Sequence, residues 1–391
     1  MKKLLSAFLV AILSLSMVSG AMAEAVPLKV WGSQDDQALL AALVESFKAA
    51  NPDIEFDISL GVVGEPDAKA RYLEDPAAAA DVFAFANDQL IDLVNADALY
   101  EVTRNLDAVV AANSAGSVES ATLNDVLYAW PMSADNGYFL YYDKSVLTEE
   151  DVQSLDGILA KAEAAGKKMF MDVSNGWYIA SFFLGAGGTL GLEDGKQTCD
   201  FNNEKGVAAG EAIRAFAAHP AFLTGDDSVL QGGMGDTICA GVSGTWNADA
   251  MKDKLGENYA ACKLPTFTMG GEQVQMASFI GTKLVGVNTQ SAYPVEAMML
   301  AEYLTNEESQ LTRFTMRGIG PSNINVAVSP EVQANIALAA LAEQSQFGVS
   351  QKQVLGNYWA PAEAFGLAME NKDASDMQEL LDALVMQVTM E

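Results

Sequence analysis

Apolar positions at 28–31 end in a polar stretch, Gly32-Ser33-Gln34-Asp35-Asp36. Leu39, Leu40, Leu43, Val44 and Phe47 then recur at a spacing that predicts a helix with one buried face. Asn51-Pro52-Asp53 stops it, and Ile54, Phe56, Ile58 and Leu60 alternate as a half-buried strand does. Further strands are expected at 81–85, 138–142, 168–173, 237–242, 259–264 and 279–287, with helices at 149–165, 204–217 and 293–305. From residue 292 the pattern is mainly helical, with amphipathic helices expected at 330–344 and 362–390. The glycines at 185, 187 and 188 follow an apolar helix-like stretch, not a strand, so they read as a helix terminator and not a phosphate cradle. This alternation predicts an α/β fold with mostly parallel sheets covered by helices on both faces. Ligands of such sheets lie at the carboxyl ends of strands. No repeat, linker or low-complexity tract marks a boundary. The 391-residue length is what argues for two lobes.

The amino terminus changes the picture of where the protein works. Lys2 and Lys3 precede an apolar run at 4–18, and Ala21-Met22-Ala23 closes the segment. A short basic region, an apolar core too short to span a bilayer comfortably, and small residues before the expected cut predict a secretory signal over 1–23. No Cys precedes Cys199, so lipid attachment to a new amino-terminal Cys is not expected. The product is expected to be exported, to a periplasm or outside the cell. An exported protein can form a disulfide, and Cys239 and Cys262 lie in stretches that could neighbour each other in one sheet. A bridge there and two buried thiols are both compatible with the sequence.

Charge narrows the partners. The chain carries 52 acidic and 22 basic residues, a formal net charge of −30, and losing Lys2 and Lys3 makes it more negative. Such a field repels nucleic acid and anionic lipid surfaces, and is indifferent to a neutral ligand. Motifs for catalysis are missing. The single histidine, His219, precedes Pro220 and is expected at the surface. There is no G-x-S-x-G, phosphate loop or H-E-x-x-H. A carboxylate pair for glycoside hydrolysis has no supporting motif, and the widely spaced cysteines do not suggest zinc. The chain is therefore read as a non-enzyme without metal or cofactor.

What remains is a recurrence. Asp35 and Asp36 follow the first strand; Phe85, Asn87, Asp88 and Gln89 end or follow the strand at 81–85; Asp135 and Asn136 follow 128–132. Trp177 and Tyr178 follow 169–173, and Trp246 follows 238–243. Any one of these could be a core aromatic or a helix cap. As a set they fit a sugar, whose hydroxyls seek ionised acceptors and whose C–H faces lie on aromatic rings.

At these residues the chain resembles the maltose/maltodextrin-binding proteins of ABC importers. Leu28-Lys29-Val30-Trp31-Gly32 with its acidic pair resembles that family's first strand and ligand loop, and 81–88 its second. Trp130-Pro131 through Asp135 to Tyr142-Asp143-Lys144 is similar to its crossover between lobes. Residues 241–246, 264–267 and Tyr358-Trp359 also fit, in consistent order. The resemblance implies a two-lobed fold of the type II periplasmic-binding-protein kind, with three crossovers near Ala134, Gly281 and Val328. The lobes would be 24–134 plus 281–327 and 135–280 plus 328–391, closing over a ligand by hinge bending. It also implies a monomer that serves a membrane permease. Carried over by position, Asp36, Asp88 and Asp135 would accept from sugar hydroxyls, with Asp35, Asn87 and Gln89 completing the polar set. Phe85, Trp177, Trp246 and Trp359 would hold the rings. The chain departs from the family in carrying Asp36 and Gln89 where a basic residue is found, Phe85 where Trp is common and Trp177 where Tyr is common. The implied ligand is maltose, a maltodextrin or a related oligosaccharide. Another oligosaccharide or a polyol is the alternative, followed by a secreted carbohydrate-active enzyme.

Overall fold

The computed structural model describes residues 25–390, so the expected secretory segment at 1–23 lies outside the described residues. Two larger sheets organise the rest into two lobes. In the first, Val26–Gly32 pairs in parallel with Phe56–Val62, from Val26↔Phe56 to Gly32↔Val62, and on its other side with Val82–Ala86. The helix Gln37–Ala50 buries Leu39, Leu40, Leu43, Val44 and Phe47. It ends where the Asn51 side-chain amide donates to the Phe47 carbonyl at 2.8 Å, which satisfies one of the acceptors that a helix terminus leaves free. Val82–Ala86 is apolar throughout and buried at every position, as a strand covered on both faces requires.

The second sheet has the order Phe222–Leu223, Lys168–Phe170, Ile238–Ser243, Phe139–Asp143, Tyr259–Cys262. Alternation along Phe139–Asp143 feeds two cores. Leu140 and Tyr142 join one cluster with Phe182, Ile213 and Phe365, while Phe139 and Tyr141 join another with Leu230, Met251 and Leu341.

The expectation of mostly parallel sheets is corrected: both sheets are mixed. Ser278–Val287 runs antiparallel to Val82–Ala86 and to Trp130–Gly137, and Phe139–Asp143 runs antiparallel to both its neighbours. The reason lies in the connections. Only Tyr138 separates Trp130–Gly137 in the first sheet from Phe139–Asp143 in the second. A strand entered this way, with no helical crossover before it, is not constrained to run parallel to its neighbours. Ser278–Val287 likewise bridges the lobes. Phe279 packs in the core of the second lobe, while Leu284, Val285 and Val287 pack in that of the first. Gly348–Ser350 adds to its edge in parallel. A third passage leaves the first lobe after Asn323, bonded to Gln310, and reaches the second lobe by Ile336–Gln344, whose Ala337, Ala340 and Leu341 are buried there.

Two expected helices change, and the cysteine question is settled. The helix expected at 330–344 is two, Pro330–Gln333 and Ile336–Gln344, because Asn335 caps the second by accepting from the Leu338 N–H. The helix expected at 362–390 is Trp359–Glu370 and Met377–Val388, separated by a polar turn with Lys372 in the left-handed region and Asp376 as the next cap. Cys239 and Cys262 do share a sheet, but Phe139–Asp143 lies between their strands. Two strand spacings are roughly 9–10 Å, beyond the reach of a disulfide, and all three cysteines are free. Burial pushes the Cys239 thiol up to about 11. His219 is half-buried at the end of the helix Glu204–Ala218, its Nδ1 accepting from the Ala221 N–H at 3.1 Å. No helix among the described residues is long and apolar enough to cross a membrane.

Candidate functional site

Between the lobes lies a cavity of about 590 Å³. Its first wall begins with the loop after Val26–Gly32. Ser33 caps the single turn Gln34–Asp36 by accepting from the Asp36 N–H, which turns both acids toward the helix Glu307–Arg317. Asp36 Oδ2 lies 2.7 Å from Arg313 Nη1, and its Oδ1 lies 3.2 Å from Arg317 Nε. Asp35 pairs with Arg317 at 3.6 Å. Arg313 and Arg317 stand one helical turn apart and reach the same loop. Asp36 borders the cavity, then, as part of a buried ion-pair network; Arg313 is only 2% exposed. Positive charge missing from the first loop is supplied from a helix far along the chain.

The second loop, Asn87–Gln89, follows Val82–Ala86. Gln89 borders the cavity, but both ends of its amide are engaged. Its Oε1 accepts from the Lys69 N–H at 2.9 Å, and its Nε2 donates to the Glu65 and Pro66 carbonyls at 2.7 and 2.9 Å. It builds the wall at 64–67. Asp88 borders the cavity too. Burial drives its carboxyl up to about 7, against the opposing pull of Lys69 and of a hydrogen bond from Gln351. Lys283, on Ser278–Val287, stands 3.9 Å from Glu65 and 5.4 Å over the Trp246 ring. Burial alone would lower its ammonium, and the surrounding carboxylates of Glu65, Asp135 and Asp36 outweigh that and raise it.

Three sequence candidates stand away from the cavity lining. Phe85 is fully buried among Phe83, Leu99 and Gly286, because it sits on a strand covered on both faces. It offers no stacking face. Asn87 is also fully buried, its Oδ1 accepting from the Thr282 N–H at 3.2 Å. Asp135 lies within Trp130–Gly137, not after a strand, and its Oδ2 accepts from Thr245 Oγ1 at 2.6 Å and from the Gly320 N–H at 2.7 Å. That carboxylate ties the passage between lobes to two loops, and Asn136 borders the cavity in its place.

The second wall is aromatic. The five tryptophans divide cleanly: Trp31 and Trp130 are buried in the core, while Trp177, Trp246 and Trp359 are half-buried and border the cavity. Trp177 stands in the first turn of Gly176–Gly185, where Asn175 accepts from its backbone N–H, and Tyr138 meets its ring edge-on at 4.5 Å. Trp246 follows Ile238–Ser243, with its indole lying on Gly244. A β-carbon at 244 would come within 2.0 Å of that ring, so glycine is what permits the approach. Its Nε1 donates to Asp227 Oδ2 at 2.9 Å, and its ring centre is 5.9 Å from that of Trp177. Trp359 opens the helix Trp359–Glu370, edge-on to Tyr358 at 5.0 Å and Phe279 at 6.0 Å.

Sequence reasoning missed Glu65, Asp67, Asp227, Lys283, Arg313, Arg317, Gln351 and Glu363, all of which border the cavity. The i, i+4 pair Arg313 and Arg317 in a chain poor in cations was a usable signal; Gln351 carried none. Carboxylates outnumber cations around the cavity, which favours a neutral or cationic ligand over an anion. No group of His, Cys, Asp and Glu able to hold a metal occurs among the described residues.

Residues 42–340 match the model of a family described as bacterial extracellular solute-binding protein. A galactooligosaccharide-binding protein of Bacillus subtilis (strain 168) is 28% identical over 359 residues, 86% of this chain and 83% of that protein. A solved structure with acarbose has a TM-score of 0.87 and 33% identity, covering 93% of this chain and 99% of that one. The maltodextrin binding protein MalE1 from L. casei BL23, solved without ligand, has a TM-score of 0.78 and 25% identity, covering 94% and 100%.

Proposed function

This chain belongs to the bacterial extracellular solute-binding proteins, and we propose on that ground that it captures an α-glucan oligosaccharide, maltose or a maltodextrin, for an ABC importer. One observation carries the reading: three half-buried indoles and a set of carboxylates border a single cavity between two lobes. Sugar rings stack on Trp177, Trp246 and Trp359, while Asp35 and Asp88 accept from hydroxyls. Asp36 acts through its guanidinium partners, whose remaining N–H groups donate to ring substituents. The solved relative with acarbose supports a sugar-like ligand. The relatives are binding proteins, and the chain is read as binding without catalysis, without metal and as a monomer. After loss of residues 1–23 it works outside the cytoplasmic membrane. The lobes, 24–134 plus 281–327 and 135–280 plus 328–391, close by hinge bending and present the loaded face to a permease.

Tryptophan fluorescence tests this directly. The mature protein is titrated with maltose, maltotriose, longer maltodextrins and a galacto-oligosaccharide, the last chosen from the name of the Bacillus subtilis relative. Saturable binding of the α-glucans at micromolar levels, about −8 kcal/mol, is the expected result. A response confined to the galacto-oligosaccharide moves the substrate; silence with every sugar overturns the oligosaccharide reading.

A further inference from the structure

Gln351 opens the turn Gln351–Gln353, directly after Gly348–Ser350, and borders the cavity while only 2% exposed. Its Nε2 donates to Asp88 Oδ1 at 2.8 Å, and its Oε1 accepts from Trp177 Nε1 at 2.8 Å. An indole N–H only donates and a carboxylate oxygen only accepts, so the two partners dictate which way the amide points. Asp88 belongs to the first lobe, and Trp177 packs against the core of the second. One amide thus joins a hydroxyl acceptor on one wall to a stacking surface on the other. The backbone that carries it is fixed on both sides. Gly348–Ser350 pairs with Ser278–Ile280, and the Leu355 N–H donates to Gln197 Oε1 at 2.6 Å. Gly281 leaves room for it: a β-carbon there would lie 3.0 Å from the Gln351 side-chain carbon.

We propose that Gln351 is a specificity-determining positioning residue. By occupying Asp88 Oδ1 and the Trp177 N–H, it leaves Asp88 one oxygen for a ligand hydroxyl and fixes the indole on which the neighbouring sugar ring lies. The cleft then reads a hydroxyl at a set offset from a stacked ring, a relation that separates sugars differing only in the orientation of one hydroxyl. This rests on the oligosaccharide reading of the cavity. The charged groups around Asp88 are Lys69, which Asp92 holds at 2.5 Å, Asp92 itself, and Glu65 and Lys283 on the same wall. Gln351 stabilises the ionised carboxylate among them, so removing its N–H makes Asp88 harder to ionise.

The test uses the mature full chain with Gln351→Met, which nearly conserves volume, and Gln351→Glu, which keeps an acceptor for Trp177 and sets a carboxylate against Asp88. Ligand-free tryptophan fluorescence is followed against pH, with Asp88→Asn as the control that assigns the transition. Affinities for maltotriose and a galacto-oligosaccharide are measured alongside. Both variants are expected to raise the pH midpoint, Gln351→Met by roughly half a unit to one unit. Affinity for the preferred sugar should fall about tenfold, and the preference between the two sugars should narrow. Lower thermal stability with an unmoved midpoint and an unchanged preference would mean a merely structural role and overturn the proposal. If the wild type binds neither sugar, the oligosaccharide reading fails separately. The ligand-free titration then still decides: a raised midpoint supports the positioning role, an unmoved one overturns it.

Discussion

The wall on the first sheet carries charge that is already paired, whereas the wall on the second carries aromatic surface that is not. Asp36 is held by Arg313 and Arg317, and Gln89 by the loop at 64–67. Trp177, Trp246 and Trp359 are half-buried and offer ring surface to the cavity. On the proposed oligosaccharide reading, the difference separates two jobs. A prepaired polar wall keeps its geometry without ligand and loses little hydration when one arrives, so it would supply orientation. Aromatic faces exposed to water gain most from being covered, so they would supply affinity.

The sharpest way to break this comparison is to unpair the polar wall. Arg313→Met leaves Asp36 without its closest partner in a buried setting, and a loss of about 3 kcal/mol in unfolding free energy is expected. Adding Asp36→Asn should recover much of that loss in thermal or denaturant unfolding. An unchanged midpoint in the single variant would mean that the network is not a structural unit. Next in size, Trp246→Ala and Trp359→Ala should each weaken sugar binding by about 2 kcal/mol, roughly 30-fold, with smaller effects on unfolding. Calorimetric titration checks this, and equal affinity in both variants would move the binding energy to the other wall. A last test concerns Asp88, whose carboxyl is pushed by burial up to about 7 in the folded chain, well above the usual carboxylate range. The folded state therefore holds a proton that the unfolded state releases. This contribution to stability is fully present below the unfolded value and lost as pH rises through about 7. Asp88→Asn should flatten that part of the pH–stability profile. Sugar affinity should move the other way, rising as Asp88 ionises, because an ionised acceptor binds a hydroxyl more strongly.

Much of the architecture was legible because its signals are local. Leu39 to Phe47 mark a helix without reference to anything else, and the strand at 82–86 shows as an unbroken apolar run. That run also explains the error at Phe85. A strand apolar on both faces is buried on both faces, so its last aromatic belongs to the core and not to the loop beyond it. Trp177 and Trp246 were legible because each follows an expected strand, whereas Trp359, which opens a helix, came only from the family resemblance. The polar wall was not legible. Asp36 meets Arg313 across 277 positions, and nothing in the first loop reveals that its acid is already neutralised. Antiparallel pairing was equally hidden, since it follows from where strands cross between lobes and not from their own composition.

The strand Ser278–Val287 also bears on how the molecule comes into being. It lies beside Val82–Ala86, and the Thr282 N–H reaches Asn87 across 195 positions. The first sheet is therefore incomplete until most of the chain has been synthesised, and Arg313 arrives later still to neutralise Asp36. Contacts so distant along the chain slow folding. For a member of an exported family, that delay means the amino-terminal half remains without the strand that joins Val82–Ala86 to Trp130–Gly137 until late in synthesis.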